Sequence, residues 1–169
     1  SLLMSKASSL YSCLSKTNLS PASLLTQLNN EICETISRGM FVTMLIGIYD
    51  SNSKELLLAN AGHEPPIILN DKSEFSNFNE AGPPLGIVAQ TLYKEYKVKF
   101  EKSSMYIFTD GITEIKNPQG EELGSLGFQN YITKFKDKPN NERLKLIIDN
   151  VINSKYIQKD DLTIVVLDS

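Results

Sequence analysis

The sequence predicts an α+β fold in which helices are segregated from a largely antiparallel sheet. Three observations carry this. Helix-period segments stand at the front of the chain and again near its end, while the middle is strand-like. The strand-like runs are joined by short turn chemistry rather than by crossover helices, which argues against a doubly wound parallel sheet. A late apolar run, Met105–Thr109, ends in Asp110-Gly111, and the last apolar run follows an acid pair, Asp160-Asp161. If those two strands lie antiparallel and adjacent, the end of one meets the start of the other.

In order, residues 2–16 place Leu2, Leu3, Ala7, Leu10, Tyr11 and Leu14 at helical spacing. Ser20 is an N-cap residue with Pro21 at the first helical position, so a second helix starts there. It turns Leu24, Leu25, Leu28, Ile32 and Ile36 inward and ends near Arg38-Gly39. Met40–Tyr49 is continuous and apolar, Asp50-Ser51-Asn52-Ser53 is a turn, and Glu55–Asn60 returns, which predicts a hairpin. Pro66–Leu69 is a third short strand, followed by the turn Asn70-Asp71-Lys72-Ser73. Gly82-Pro83-Pro84-Leu85-Gly86 is a stiff loop, and Leu92–Phe100 is a loosely alternating strand with Tyr96, Val98 and Phe100 on one face. After Met105–Thr109 comes a polar loop over 116–122. Helices are predicted over about 125–136 and 141–154, and a last strand over 162–167.

A chain of 169 residues fits one domain over 1–169 and can bury a core. Hydrophobic residues make up 41% and charged residues 22%, with a net charge of −3. That balance makes no case for nucleic acid or an anionic membrane as a partner. No apolar run approaches the roughly 20 residues that a membrane span needs. Cys13 and Cys33 do not form a CxxC pair and fall in helical patterns, so small buried, unpaired thiols and a cytoplasmic setting are expected.

Asp110 and Asp160 are the leading candidates for chemistry. A buried strand that ends in Asp delivers a carboxylate to the rim of a sheet, and Gly111 lets the chain turn there. Carboxylates gathered at one rim repel each other, and a hard divalent cation relieves that repulsion. Thr113 and Glu114 offer further oxygens, and Asp161 is an alternative to Asp160 as the ligand. A strand-end Asp is by itself most often a turn or cap acid; the doubled arrangement favours a metal site. His63 is the only histidine. It titrates near neutrality and could serve as a general acid, but its proline-stiffened corner makes a structural role the stronger expectation. Neither a phosphate-cradling glycine motif nor a G-x-S-x-G elbow is present, and no Cys/His cluster suggests zinc. Oxygen-ligated metal chemistry remains, with metal-activated water attacking a phosphate ester as its natural reaction.

Six ordered motifs then carry a resemblance: Phe41-Val42-Thr43-Met44, Asn60-Ala61-Gly62-His63-Glu64-Pro65-Pro66, Gly82-Pro83-Pro84-Leu85-Gly86, Phe108-Thr109-Asp110-Gly111-Ile112-Thr113-Glu114, Gly120-Glu121-Glu122-Leu123-Gly124 and Asp160-Asp161-Leu162-Thr163. The chain resembles the protein phosphatase 2C-like superfamily, in the branch of the stage II sporulation protein E and sigma-factor regulatory phosphatases. The resemblance implies an α/β/β/α sandwich with two Mn²⁺ or Mg²⁺ ions at one sheet edge. It implies hydrolysis of phosphoserine or phosphothreonine on a regulatory protein such as an anti-sigma-factor antagonist, under an upstream sensor or signalling domain. It matches Asp110 and Asp160 to two of the family's metal-binding acids; Gly111, Asp161, Glu114 and His63 are further candidates around them on the reading of the residues. The family's acidic motifs that precede the first helix are not in this chain. The expectation is therefore a sandwich lacking N-terminal strands, a partial metal site, weak or absent activity, and a sheet edge that invites pairing with a second copy. The competing reading is a non-catalytic docking module that keeps the fold and binds a phosphoprotein. An unrelated Mg²⁺ enzyme using a strand-end Asp is a third.

Overall fold

The computed structural model describes residues 2–35, 39–76, 78, 81–153 and 161–169. Its elements are α1 (Leu2–Leu14), α2 (Pro21–Cys33), β1 (Met44–Asp50), β2 (Glu55–Ala61), β3 (Ile67–Asn70), β4 (Phe75–Ser76), β5 (Tyr96–Lys99), β6 (Ser103–Phe108), α3 (Asp110–Thr113), α4 (Gly124–Phe135), α5 (Asn140–Asn153) and β7 (Ile164–Asp168). They fall into two compact units. One comprises residues 1–65 and 78–101, the other 66–77 and 102–169. The pairings between these strands are antiparallel, as the turn chemistry predicts.

In the first unit the sheet order is β1-β2-β5. Period-2 alternation in β2 sends Ala59 and Ala61 to the face that meets the helices, where they join Leu24, Leu25, Leu28 and Ile32 of α2 and Ala7 of α1 in one core. Small residues on the strand let the leucines of α2 come close. The predicted cap is present: the Ser20 side chain accepts from the Ser23 amide, and Pro21 opens the helix. The helix is shorter than expected, ending at Cys33, because Glu34 and Thr35 close it with turn hydrogen bonds to Asn30 and Ile32. Ile36 and Arg38 lie outside the described residues.

A polar stripe on α2 holds the loop that follows residue 82. The buried amide of Asn29 accepts from Gly86 N (3.0 Å) and donates to Val88 O (2.8 Å). Asn30 accepts from Gln90 N, and Thr26 from Tyr93 N. This clamp explains why the expected strand over Leu92–Phe100 contracts to Tyr96–Lys99: the earlier residues are bonded to a helix instead of a strand. Likewise Val42 pairs only with Leu85, so β1 begins at Met44 and not at Met40. Cys33 is half-buried and donates to Asn29, while Cys13 is exposed, correcting its expected burial; both are free thiols.

In the second unit the order is β4-β3-β6-β7. Tyr106 and Phe108 alternate onto the face covered by α4 and α5 and pack edge-on against Phe128, with ring centroids 6.4 and 4.8 Å away. Ile112, Ile132, Ile147 and Val151 complete this core. At the start of β6, the buried guanidinium of Arg143 bonds both Asp168 carboxylate oxygens (2.6 and 2.8 Å) and lies over the Tyr106 ring. That ion pair ties α5 to the end of β7. Strand β4 is too short and polar to be seen in the sequence pattern.

Candidate metal centre

The two strands singled out from the sequence are neighbours. β6 and β7 pair antiparallel with Phe108 opposite Ile164, so the end of β6 and the start of β7 share one rim. The ladder runs one step further, with Thr109 N donating to Thr163 O at 3.1 Å.

Asp110 follows directly. It is exposed, and it opens the single helical turn α3 instead of the plain turn expected from Asp-Gly. Its carbonyl accepts from Glu114 N (2.8 Å) and from the Thr113 hydroxyl (3.1 Å), so Thr113 closes the turn. The Asp110 carboxylate has no hydrogen bond or ion pair among the described residues. Buried Ile112 anchors the turn in the core beneath it.

The chain on either side of Asp110 grips β7's lead-in. The Thr109 hydroxyl donates to the Asp161 carbonyl (3.2 Å) and accepts from Thr163 N (3.1 Å). Gly111 lies so close that a Cβ there would stand 2.5 Å from the same carbonyl oxygen. Glycine is therefore required here by backbone approach. Thr109 occupies the N-cap position of α3 yet makes no capping bond, because its hydroxyl is committed across the strands.

Asp161 is brought to this rim, through its backbone. Asp160 lies outside the described residues. Glu114 is exposed at the far end of the α3 turn. His63 belongs to the other unit, where Asn60 holds its backbone from both sides: His63 N donates to Asn60 Oδ1 (2.9 Å) and Asn60 Nδ2 donates to His63 O (2.8 Å). In the same corner Gly62 has φ +69° and abuts Pro84. Thr109 escaped the sequence reading. The available signal was a hydroxyl residue directly before Asp-Gly, but that pattern is equally an ordinary cap.

An exposed carboxylate whose oxygens are unengaged among the described residues, on a turn rooted in the core, suits a hard divalent cation. It fits as one ligand. Among the described residues no group of three metal-binding side chains converges.

The fold that carries this rim is shared with solved protein phosphatase 2C domains. The SiaA-PP2C domain of Pseudomonas aeruginosa superposes on 99% of this chain and 69% of its own, with a TM-score of 0.82 at 18% identity. RsbX, solved in complex with magnesium, superposes on 97% of this chain and 71% of its own, with a TM-score of 0.67 at 16% identity. The model of the stage II sporulation protein E (SpoIIE) family matches residues 1–169, and the chain belongs to that family. Phosphoserine phosphatase RsbU of Bacillus subtilis is 30% identical over 157 residues, covering 91% of this chain and 47% of RsbU. The chain thus spans about half the length of that relative.

Among the described residues no helix is long and apolar enough to cross a membrane.

Proposed function

We propose that this chain is the catalytic part of a metal-dependent serine/threonine protein phosphatase that hydrolyses phosphoserine or phosphothreonine on a regulatory protein. The observation that carries the reading is the Asp110 carboxylate, unengaged among the described residues at the β6–β7 rim, in a chain that matches the SpoIIE family over residues 1–169. Asp110 and Asp160 are the proposed ligands of Mn²⁺ or Mg²⁺. Thr109 and Gly111 hold the turn, and Asp161 and Glu114 offer acceptors around it. A bound divalent cation supplies an acidified water and a counter-charge for the phosphate oxygens.

The chain's own contribution is positioning. Ile112 roots the turn and Thr113 closes it, so the Asp110 carboxylate is presented without rearrangement. His63 is assigned a structural role, stiffening the Asn60–Pro65 corner. RsbU is a phosphoserine phosphatase, and RsbU and RsbW domains occur together in one Mycobacterium tuberculosis protein; both support a phosphorylated regulatory protein as substrate and control by further domains. The outer edges of β1 and β7 are where a further strand, from this chain or a second copy, would add.

The test is Mn²⁺-dependent phosphate release from a phosphoserine protein by the full-length protein. Turnover abolished by Asp110→Asn supports the reading. Metal-independent turnover, or turnover indifferent to Asp110→Asn, overturns it.

A further inference from the structure

We infer that Thr109 is a positioning residue for the metal site, and that it acts by locking the Asp161 peptide to the Asp110 turn. The inference rests on the reading of Asp110 as a metal ligand. Two independent features converge on one atom, the Asp161 carbonyl oxygen. From one side the Thr109 hydroxyl donates to it at 3.2 Å. From the other the Gly111 backbone leaves no room for a Cβ, which would stand 2.5 Å away. Thr109 and Gly111 are the two chain neighbours of Asp110. The residue that delivers the carboxylate is thus held on both sides against the segment that begins β7.

The choice made by the Thr109 hydroxyl is the informative part. At φ −92°, ψ 157° the residue has the backbone of an N-cap, and threonine is a good capping residue, yet the cap bond is not made. The hydroxyl bridges Asp161 O and Thr163 N instead, which sets the spacing between the two acid-bearing segments. Ordering carboxylate-bearing backbone from outside the ligand shell is how partner residues tune a metal site, and removing such partners costs roughly 10–100-fold in affinity. A valine at this position keeps shape and volume and deletes only the bridge. A serine keeps the bridge.

The experiment measures Mn²⁺ affinity by electron paramagnetic resonance titration of free Mn²⁺, on full-length protein carrying no substitution, T109V, T109S or D110N. Hydrogen exchange at the Thr163 amide is read alongside. The expected result is a Mn²⁺ affinity about tenfold weaker in T109V and within about threefold of the parent in T109S, with faster exchange at Thr163 in T109V alone. Weakened binding in D110N together with unchanged binding in T109V overturns the positioning role and leaves the metal reading intact. Unchanged binding in D110N overturns the metal reading and the inference with it. Should T109V fail to fold, T109S decides: parental affinity supports the bridge, and a tenfold loss despite the retained hydroxyl overturns it.

Discussion

Gly111 lies against the Asp161 peptide so closely that a side chain there would overlap its carbonyl oxygen. The contact is backbone to backbone, so neither partner can swing away. It places the turn after β6 and the lead-in to β7 in fixed register, and it explains why the acid at the end of β6 is followed by glycine.

Gly111→Ala is accordingly expected to separate the two segments. The folded protein should persist, since α3 is a single turn at a rim. Mn²⁺-dependent turnover should fall about 10²-fold, the scale set by an error of roughly 1 Å in positioning. Steady-state kinetics at saturating Mn²⁺ check this, and parental turnover in Gly111→Ala would count against the close contact.

Asp110→Asn should separate stability from activity more sharply still. The carboxylate is exposed and bonds to nothing among the described residues, so metal-free stability should stay within about 0.5 kcal/mol of the parent. Activity should nevertheless be lost. Thermal melts in chelator, run beside phosphate-release assays, read the two effects separately.

Phe128→Ala should be among the most damaging core substitutions. Its ring is fully buried between Tyr106 and Phe108. A cavity there should cost about 3–5 kcal/mol, measured as a shift in the denaturant midpoint at constant slope.

Asp168→Asn should leave the buried Arg143 guanidinium without its counter-charge. Removing one member of a buried pair costs up to about 3–5 kcal/mol. Asp168 is itself 42% exposed, which lets water replace part of the loss, so about 2 kcal/mol is expected. A double-mutant cycle with Arg143→Met should recover much of this, because Met can pack on Tyr106 with no charge to satisfy.

Alkaline pH should destabilise the chain through Tyr93. Burial pushes its phenol from an ordinary value near 10 up to about 12. The unfolded chain therefore releases this proton before the folded one does. The stability is fully present below about pH 10 and falls as pH rises toward 12, by on the order of 1–2 kcal/mol. Ionisation also removes the hydrogen bond from the Tyr93 hydroxyl to Pro83 O. Tyr93→Phe should flatten this fall in urea titrations at pH 9–12. Tyr106, raised by burial as well, leaves a residual slope.

The fold class was legible because it rests on local signals. Ser20-Pro21 caps α2, Asp50–Ser53 turns the first hairpin, and the alternation in β2 and β6 assigns each side chain to a face; each is decided within a few residues of chain. The acid at the end of β6 was legible for the same reason. What tertiary structure decided was every feature that joins distant segments. The start of β5 depends on Asn29, Asn30 and Thr26 reaching residues about sixty positions away. The Arg143–Asp168 pair and the Thr109 bridge are likewise set by strand pairing and helix packing, which no local pattern records. A threonine before Asp-Gly reads as a cap in one dimension. Only the arrival of β7 beside β6 gives its hydroxyl a better partner than the helix it begins.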